Sequence, residues 1–417
     1  MVYLIYEKFS DSAENFTMRV VGIIAEYNPL HNGHIYHLER AKSLSGSDFC
    51  VVVLSGNFVQ RGEAACTDKF SRAAWALSAG ADLVLELPSV YAVAPAERFA
   101  AGGVRTLGAT GVVTSLAFGC EAPDLQTLYQ ISDIIATEPP ALQAAIKRHL
   151  SLGKSFPRAR FDALLEYGVP RNMLAAIAQP NNILAVEYLS ALRKFAPGIE
   201  PLPIERIGTG YHSEQIAGEF ASATAIRKAI IEGRHEILST MPSFVGGPLL
   251  YDEQFIIPQE ALSDVMLYAL RRMSAAELAA LPDIGEGFEN VLYRSVREAR
   301  TLLELYERIK SKRYTLARCK RIVVSALLGI TTDQVRQTIL SREGGYLKVL
   351  GFRRQARALI SEIARRKTAP LILRNSDLEA CPPFVRQNIE TDMLSTDILR
   401  FVTSQEIRRD LGGAVIL

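Results

Sequence analysis

The sequence Gly22-Ile-Ile-Ala-Glu-Tyr-Asn-Pro-Leu-His-Asn-Gly-His34 sets the architecture of this chain. An apolar run rich in β-branched residues ends at Asn28-Pro29, and apolar residues then recur at helical spacing from Ile35. This pattern predicts a strand, a tight loop and a helix. The free backbone N–H groups at the start of such a helix attract phosphate. His31 and His34 stand three residues apart at that start, so both imidazoles can reach one ligand.

The pattern His31-Asn32-Gly33-His34 after a first strand resembles the signature of the nucleotidyltransferase superfamily, which includes the class I aminoacyl-tRNA synthetases. The resemblance implies attack on the α-phosphate of ATP with release of pyrophosphate. Two histidines near a helix start can also simply cap the helix or face solvent, and a bare His-x-Gly-His fits that role about equally well. The strand before the motif, the Asn-Pro turn and the helix after it favour the functional interpretation.

Length and composition describe an ordinary globular protein. The chain has 417 residues, 48% of them hydrophobic and 22% charged, which is enough for two or three domains. No apolar run approaches a membrane span and no signal peptide precedes the first strand, so we expect a cytoplasmic protein with no membrane partner. Five cysteines, at positions 50, 66, 120, 319 and 381, lack metal-ligand spacing, so we expect neither a disulfide framework nor a metal site built from cysteines.

Short apolar runs at 50–54, 82–87 and 112–118 alternate with helical patterns. The alternation indicates an α/β fold with a Rossmann-like, doubly wound parallel sheet. Ligands bind beyond the carboxyl ends of the strands in such sheets, and His31, Arg61 and Gly119 fall in loops at that edge. A further strand at 201–207 would place Arg206 near its end.

Two later helix starts carry polar caps. Pro180-Asn-Asn begins one helix, and Ala221-Ser-Ala-Thr-Ala-Ile-Arg227 begins another. Alone, Ser-x-Thr before a helix is usually an N-cap, but this stretch also resembles the Ser/Thr-rich motif of adenylyltransferases whose side chains hold the triphosphate. We expect an extended N-terminus at 1–17, a catalytic domain at 18–235, a linker at 236–263 and a mainly helical domain at 264–417.

A net charge of only +2 hides a segregation of charge. Residues 291–321 hold ten Arg or Lys against three Glu, and residues 342–367 hold eight against two, so the remainder of the chain carries −11. A basic region suggests a polyanionic partner, and cations among aromatic side chains suit phosphates and unpaired bases. The alternative is a solvated helix face, which is the usual role of a charge run.

Several stretches together resemble the bacterial tRNA(Met) cytidine acetate ligase family, from Met18 to nearly the C-terminus. They are Glu26-Tyr-Asn-Pro-Leu-His-Asn-Gly-His34, Ser55-Gly-Asn-Phe-Val-Gln-Arg-Gly-Glu63, Ala81-Asp-Leu-Val-Leu-Glu-Leu-Pro88, Phe118-Gly-Cys-Glu121, Pro180-Asn-Asn-Ile-Leu184 and Lys312-Arg-Tyr-Thr315. The resemblance implies that acetate and ATP form acetyl-adenylate, and that the acetyl group passes to N4 of the wobble cytidine of elongator tRNA(Met), giving N4-acetylcytidine. Leu30 and Cys120 depart from the family pattern, where we expect Phe and often Ser.

Motif chemistry and the resemblance together predict the site residues. As catalytic residues we expect His31, His34 and Arg61, the last holding the acetate carboxylate or a phosphate unless it forms a salt bridge between loops. The predicted ATP-binding residues are Ile24, Ala25, Glu26, Tyr27, Asn28, Pro29, Leu30, His31, Asn32, Gly33, His34, Ile35, Tyr36, His37, Gly119, Asn181, Arg206, Ser222, Thr224 and Arg227. The predicted tRNA-binding residues are Lys312, Arg313, Arg318, Lys320, Arg321, Arg353, Arg354 and Arg357. We expect the triphosphate, and not a protein cluster, to hold Mg²⁺.

Three further side chains have weaker assignments. Lys69 is a weaker candidate for a site residue, with no ligand assigned to it. Glu26 and Glu63 are candidates for the base that takes a proton from the cytidine amine, although a structural role is the commoner one for buried carboxylates.

Two rival functions stay open at this level. One is an adenylyltransferase that joins AMP to a small phosphorylated metabolite, which leaves the basic helical region without a purpose. The other is a nucleotide-dependent RNA-binding protein without catalysis, which does not require the histidine pair. The sequence leaves the oligomeric state open.

Overall fold

The computed structural model describes residues 18–121, 125–176, 179–207, 219–252, 256–285, 287–341, 345–403, 406–410 and 412–417. The predicted N-terminal extension, 1–17, lies outside the described residues. None of the described helices combines the length and the apolar character that crossing a membrane requires.

The strands of the described chain form one large sheet and one small hairpin. Their bounds are β1 Val20–Ala25, β2 Phe49–Ser55, β3 Phe58–Val59, β4 Glu63–Ala64, β5 Leu83–Leu87, β6 Ser115–Cys120, β7 Glu200–Glu205, β8 Leu347–Phe352, β9 Leu371–Ile372 and β10 Val415–Ile416. The large sheet has the order β10-β8-β5-β2-β1-β6-β7, with β9 also paired to β8, and the antiparallel hairpin is β3–β4.

The helices cover both faces of this sheet. Their bounds are α1 Asn32–Ser45, α2 Lys69–Ser78, α3 Ser89–Ala92, α4 Ala96–Ala109, α5 Leu125–Thr137, α6 Pro140–Ser151, α7 Phe156–Glu166, α8 Arg171–Ala176, α9 Pro180–Phe195, α10 Ala223–Ile231, α11 Ser243–Tyr251, α12 Gln259–Arg272, α13 Ala275–Ala279, α14 Phe288–Glu298, α15 Leu302–Ile309, α16 Leu316–Leu328, α17 Thr332–Leu340, α18 Arg357–Arg366 and α19 Pro383–Val402.

The strand β1 lies in the middle of the sheet, parallel to β2 on one side and to β6 on the other. Its first four residues are buried. Alternate side chains of the central strands enter two core layers, one packed against α4 and α9 and the other against α1, α2 and α10. This burial on both faces confirms the prediction of a doubly wound parallel sheet.

The C-terminal region contributes strands that the sequence analysis does not predict. Strand β8 pairs antiparallel with β5, so the region predicted as mainly helical also extends the sheet of the catalytic core. Lys348 interrupts the apolar pattern of β8, yet its side chain is 2% exposed and pairs with Glu86 at 2.8 Å and with Asp410. The carboxylates that pair with Lys348 lie far from it in the sequence, so the sequence pattern does not show that this lysine is buried. For that reason β8 is not recognised as a strand from the sequence.

Lys69 belongs to the same buried network and does not line the nucleotide cavity described below. Its ammonium lies 2.7 Å from Glu86 and 2.9 Å from Asp410, with no exposed side-chain surface. A buried cation in this setting is structural, because it neutralises carboxylates that have lost their water. The weaker prediction that Lys69 is a site residue is therefore wrong.

The segment 236–263, predicted as a linker, contains α11 and the start of α12. It is therefore largely helical where the sequence suggests irregular structure, since its Gly and Pro residues are accommodated in or next to helices. The predicted division into domains stays a prediction.

Candidate functional site

A cavity of about 260 Å³ opens at the carboxyl edge of the sheet. The ends of β1, β6 and β7 meet there with the starts of α1, α9 and α10 and with the β3–β4 hairpin. Most of the predicted nucleotide-binding and catalytic residues line it: Ile24, Ala25, Glu26, Tyr27, Asn28, His31, Gly33, His34, Tyr36, His37, Arg61, Gly119, Asn181, Arg206, Ser222, Thr224 and Arg227.

His31 is the N-cap of α1, and His34 lies in the first turn of this helix. The backbone N–H of Gly33 donates to His31 Nδ1 at 3.1 Å, and the backbone N–H of His31 donates to His34 Nδ1 at 3.3 Å. The two rings stack with their centroids 3.8 Å apart. Because each Nδ1 accepts, each neutral ring carries its proton on Nε2. The pair therefore presents two Nε2–H donors.

Burial keeps these imidazoles neutral. Loss of water, followed by the positive charge of Arg206, lowers the pKa of His31 to about 3 and that of His37 to about 4. The pKa of His34 lies well below its usual value because of burial, the adjacent His31 ring and Arg206. The rings are thus uncharged at neutral pH and can meet a phosphate as hydrogen-bond donors, which leaves the neutralisation of charge to arginines.

Gly119, Asn181 and Arg206 lie across the cavity from the histidines. Arg206 directly follows β7, and its backbone N–H donates to the carbonyl of Cys120 at 3.1 Å. A Cβ at Gly119 would lie 3.2 Å from Arg206 Cγ, so the glycine gives the arginine room. Asn181, in the first turn of α9, donates to Glu121 Oε1 at 2.5 Å. Pairing of β6 with β7 brings the Arg206 guanidinium to the opening, and the bond between Asn181 and Glu121 holds the amide there.

The start of α10 supplies a second set of donors. Ser222 is its N-cap and accepts from the backbone N–H of Ala225 at 3.1 Å. Arg227 donates to the carbonyl of Asn28 at 2.7 Å and to Thr224 Oγ1 at 3.4 Å. The guanidinium therefore joins the α10 cap to the loop before α1, and two helix N-termini face one cavity.

Arg61 and Glu26 occupy the hairpin side of the cavity. Arg61 lies in the β3–β4 turn, and Glu26 follows β1 directly. The carboxylate of Glu26 accepts from the backbone N–H of Gln60 at 2.8 Å. Burial raises the pKa of Glu26, against the opposing charges of Arg227, Arg72 and Arg61. Glu26 thus joins the end of β1 to the β3–β4 hairpin.

Four of the predicted ATP-binding residues do not line the cavity: Pro29, Leu30, Asn32 and Ile35. Leu30 is buried in the core, 1% exposed. Asn32 donates to the carbonyls of Glu219 at 2.9 Å and Ser239 at 2.8 Å. Leu30 and Asn32 hold the loop in place. One face of the loop lines the cavity, and these side chains attach the opposite face to the rest of the protein.

The apolar wall of the cavity is not predicted from the sequence. Phe99 of α4, Phe118 of β6, and Leu184 and Tyr188 of α9 form much of it. The Phe118 and Tyr188 rings lie 5.8 Å apart. These residues occupy ordinary core positions in the sequence pattern, so they gave no local signal.

The predicted tRNA-binding residues form two groups at opposite edges of the sheet. The carboxyl-edge group comprises Lys312, Arg313, Arg318, Lys320 and Arg321. The amino-edge group comprises Arg353, Arg354 and Arg357, and it follows β8.

Because β8 is antiparallel to β5, its end lies beside the beginning of β5, and the backbone N–H of Arg353 donates to the carbonyl of Asp82 at 2.9 Å. A five-residue strand such as β5 spans roughly 16 Å. The sequence suggests that both basic runs belong to one region. In the structure they lie at opposite edges of the sheet, because β8 runs antiparallel to β5.

Within the carboxyl-edge group several cations also serve the fold. Arg318 donates to the carbonyl of Asp283 at 3.0 Å, and Arg321 lies 3.5 Å from the Asp283 carboxylate. Lys320 pairs with Glu63 on the rim of the cavity. This group thus connects directly to the candidate site.

Comparison with known proteins agrees with this geometry. The family model described as HIGH Nucleotidyl Transferase matches residues 18–412. The chain is 39% identical to the tRNA(Met) cytidine acetate ligase of Acetivibrio thermocellus, over 91% of this chain and 94% of that protein. It is also 39% identical to the protein of the same name from Caldanaerobacter subterraneus, over 93% and 98% of the two chains.

Two solved structures resemble the whole fold. Apo Thermotoga maritima TmcAL matches with a TM-score of 0.90 and 32% identity, covering 96% of this chain and 100% of that one. The same protein bound with alpha-thio ATP matches with a TM-score of 0.88 and 31% identity, over the same shares. From the match over nearly all of its length, the chain belongs to the HIGH nucleotidyl transferases and, within them, to the tRNA(Met) cytidine acetate ligase family.

Proposed function

We propose that this protein is an ATP-dependent ligase that forms acetyl-adenylate from acetate and ATP and transfers the acetyl group to N4 of the wobble cytidine of elongator tRNA(Met). One observation carries the proposal: the N-termini of α1 and α10, a neutral histidine pair and three arginines converge on one cavity at the sheet edge. The names of the relatives support the identity of the substrates. The reaction belongs in the cytoplasm, where tRNA is used.

ATP binds with its triphosphate between the starts of α1 and α10. The Nε2–H groups of His31 and His34 donate to the α-phosphate and to the leaving pyrophosphate, where negative charge grows in the transition state. Ser222, Thr224 and Arg227 hold the β- and γ-phosphates. Mg²⁺ arrives on the triphosphate, as is common for this ion.

Arg206, Gly119 and Asn181 complete the nucleotide site. Arg206 supplies positive charge opposite the histidines, and the glycine allows its side chain to cross the strand end. The apolar wall around Phe118 and Tyr188 suits a base or a methyl group, because flat and apolar groups gain from burial against aromatic rings.

The chemistry needs alignment more than a protein nucleophile. An acetate oxygen attacks the α-phosphorus, the bond to the bridging oxygen breaks, and pyrophosphate leaves. We assign Arg61, which lines the cavity on its hairpin side, to the acetate carboxylate. In the second step the cytidine amine attacks the acetyl carbon and AMP leaves.

The carboxyl-edge group is the better placed of the two basic groups to bring the anticodon to the cavity. Its member Lys320 contacts Glu63 of the cavity rim. The amino-edge group lies a strand length away, so the arginines of that group contribute to RNA binding only if the tRNA wraps around the sheet.

One experiment tests the whole proposal. The protein is incubated with labelled acetate, ATP and bulk tRNA, and the tRNA is then digested to nucleosides. We expect label in N4-acetylcytidine, only with ATP present. Release of pyrophosphate that does not depend on acetate would favour an adenylyltransferase of a phosphorylated metabolite, and tRNA binding with no pyrophosphate release would favour a non-catalytic protein.

A further inference from the structure

The β3–β4 hairpin lies between the cavity and the basic helix α16. Its residues Gln60, Arg61 and Glu63 line the cavity. The backbone N–H of Gln60 donates to Glu26 at 2.8 Å, and the Gln60 side chain donates to the carbonyl of Ala94 at 3.1 Å. The inner side of the hairpin is therefore fixed to the nucleotide site.

The outer side of the hairpin packs directly on α16. Gly62 has a φ of +77°, and a Cβ placed on it would lie 2.4 Å from the backbone nitrogen of Arg321. At this contact Glu63 forms an ion pair with Lys320, and the two side chains are 35% and 24% exposed. A carboxylate thus stands at the point where the carboxyl-edge group meets the cavity.

Acyl transfer to an amine needs a group that takes the amine proton, and the cavity offers few. Its acidic lining residues are Glu26, Glu63 and Glu205. Glu26 directly follows β1, and its carboxylate accepts from the backbone N–H of Gln60 at 2.8 Å, which ties it to the hairpin backbone. Glu205 ends β7, an edge strand of the sheet, whereas Glu63 lies in the hairpin that contacts α16. The histidines, with pKa values lowered to about 3 and 4 for His31 and His37, are weak bases.

We propose that Glu63 is the catalytic base of the transfer step and that Lys320 is a positioning residue for it; this inference rests on the proposed function. The N4 amine attacks the acetyl carbon and forms the C–N bond. The C–O bond to the adenylate breaks, and AMP leaves with the electron pair. The amine proton passes to the Glu63 carboxylate and then to solvent. A carboxylate on the rim meets the cytidine as the RNA delivers it, while the adenylate stays deeper in the cavity.

Measuring the two half-reactions separately distinguishes a catalytic role of Glu63 from a structural one. Hydroxylamine traps acetyl-adenylate as acetohydroxamate without tRNA, and single-turnover transfer to tRNA reports the second step. For Glu63→Gln, which keeps the size and hydrogen bonding of the side chain, we expect hydroxamate formation within about threefold of wild type. We expect the transfer rate to fall about 100-fold or more, as is typical for loss of a general base.

Additional variants exclude indirect effects. Glu298→Gln removes a carboxylate that pairs with Arg308 at 2.6 Å outside the cavity, and it should change neither half-reaction. Glu63→Asp should recover part of the transfer rate. Lys320→Met should lower the maximal transfer rate even at saturating tRNA, because it releases the Glu63 carboxylate.

A Glu63→Gln protein that transfers acetyl at the wild-type rate, or that loses both half-reactions in the same proportion, would overturn the assignment. If wild-type hydroxamate formation did not require acetate, the proposed function itself would fail, and the role of Glu63 would fail with it for that separate reason.

Discussion

The histidine pair at the start of α1 uses one ring nitrogen of each residue for helix capping and leaves the other available to a ligand. The Nδ1 atoms of His31 and His34 cap the helix by accepting backbone N–H groups, and this choice places the proton of each ring on Nε2. Gly33 permits the arrangement, since a Cβ there would come 3.1 Å from His31 Nδ1. The capping and the ligand-binding interpretations of the motif are therefore compatible, because they use different nitrogens.

Replacing His34 by alanine removes one Nε2–H donor from the proposed site of pyrophosphate departure. We expect acetate-dependent exchange of pyrophosphate into ATP to fall about 100-fold or more, which is typical for loss of one preorganised donor. The control is His149→Ala on α6, where the imidazole faces Glu166 at 3.2 Å. Exchange at the wild-type level by a folded His34→Ala protein would contradict the role of this residue.

The lowered pKa of His31 makes the folded protein less stable as the pH falls. Its folded value is about 3 against an ordinary 6.5, so below pH 6.5 the unfolded chain binds a proton that the folded protein does not. The stability contribution is complete above about pH 6.5 and is lost as the pH falls toward 3.

His31→Asn keeps a good helix cap and removes this group. We expect wild type to lose more stability than the variant between pH 7 and pH 5, by at most about 1.4 kcal/mol per pH unit. Urea unfolding at the two pH values measures the difference. Parallel losses in the two proteins would show that His31 is not buried and neutral.

The β3–β4 hairpin is the element whose position decides the shape of the cavity rim. It is short, and the close contact of Gly62 with α16 seats it on the C-terminal region. At Gly62 both the positive φ and the nearby backbone of Arg321 exclude a side chain. Such an element depends on its packing partner, since a two-residue pair of strands is not stable alone.

Gly62→Ala tests whether the hairpin packs on α16, and Gly153→Ala is the matched control variant. Gly153 has a nearly identical φ of +78°, but a Cβ there would meet nothing within 4 Å. Both substitutions cost roughly 1 to 2 kcal/mol for the left-handed backbone, and only the first also displaces α16. We expect Gly62→Ala to lower the urea midpoint more and to reduce acetyl transfer, whereas Gly153→Ala changes stability alone. Equal effects on both measurements would mean that the hairpin does not rest on α16.

At the scale of the whole molecule, the N-terminal and C-terminal regions share one core. Strands β8 and β10 extend the central sheet, and Lys69, Glu86, Lys348 and Asp410 form ion pairs across the two regions. A shared core fixes the carboxyl-edge group relative to the cavity. Delivery of a tRNA to the nucleotide site therefore requires no docking of separate domains.

The two basic groups give a test of how tRNA approaches. We expect Lys312→Glu with Arg313→Glu to weaken tRNA binding by about tenfold or more at moderate salt, since each phosphate contact depends on counterion release. The matched reversal Arg354→Glu with Arg357→Glu should weaken it less. Both pairs should leave acetate-dependent pyrophosphate exchange intact. Filter binding across a salt series measures the affinities, and a larger effect at the amino edge would place the RNA on the other side of the sheet.

The predicted polar cap at α9 is not formed, since its N-cap Gln179 makes no side-chain cap hydrogen bond. The sequence by itself determined the parallel core, the helix start that holds the histidines and the serine cap at α10. These follow from local periodicity and from capping chemistry, which act within a few residues. It also identified Arg206 and Arg227 as site candidates, through strand ends, helix starts and family resemblance.

Only the tertiary structure decided which side chains meet across long separations. The apolar wall, the burial of Lys69 and Lys348, and the ion pair between Glu63 and Lys320 depend on elements far apart in the chain. So does the position of the two basic groups, because the direction of β8 in the sheet is set by pairing with β5. A run of basic residues shows how much positive charge a segment carries. The edge of the sheet at which that charge lies depends on the direction of the chain, which no local sequence pattern encodes.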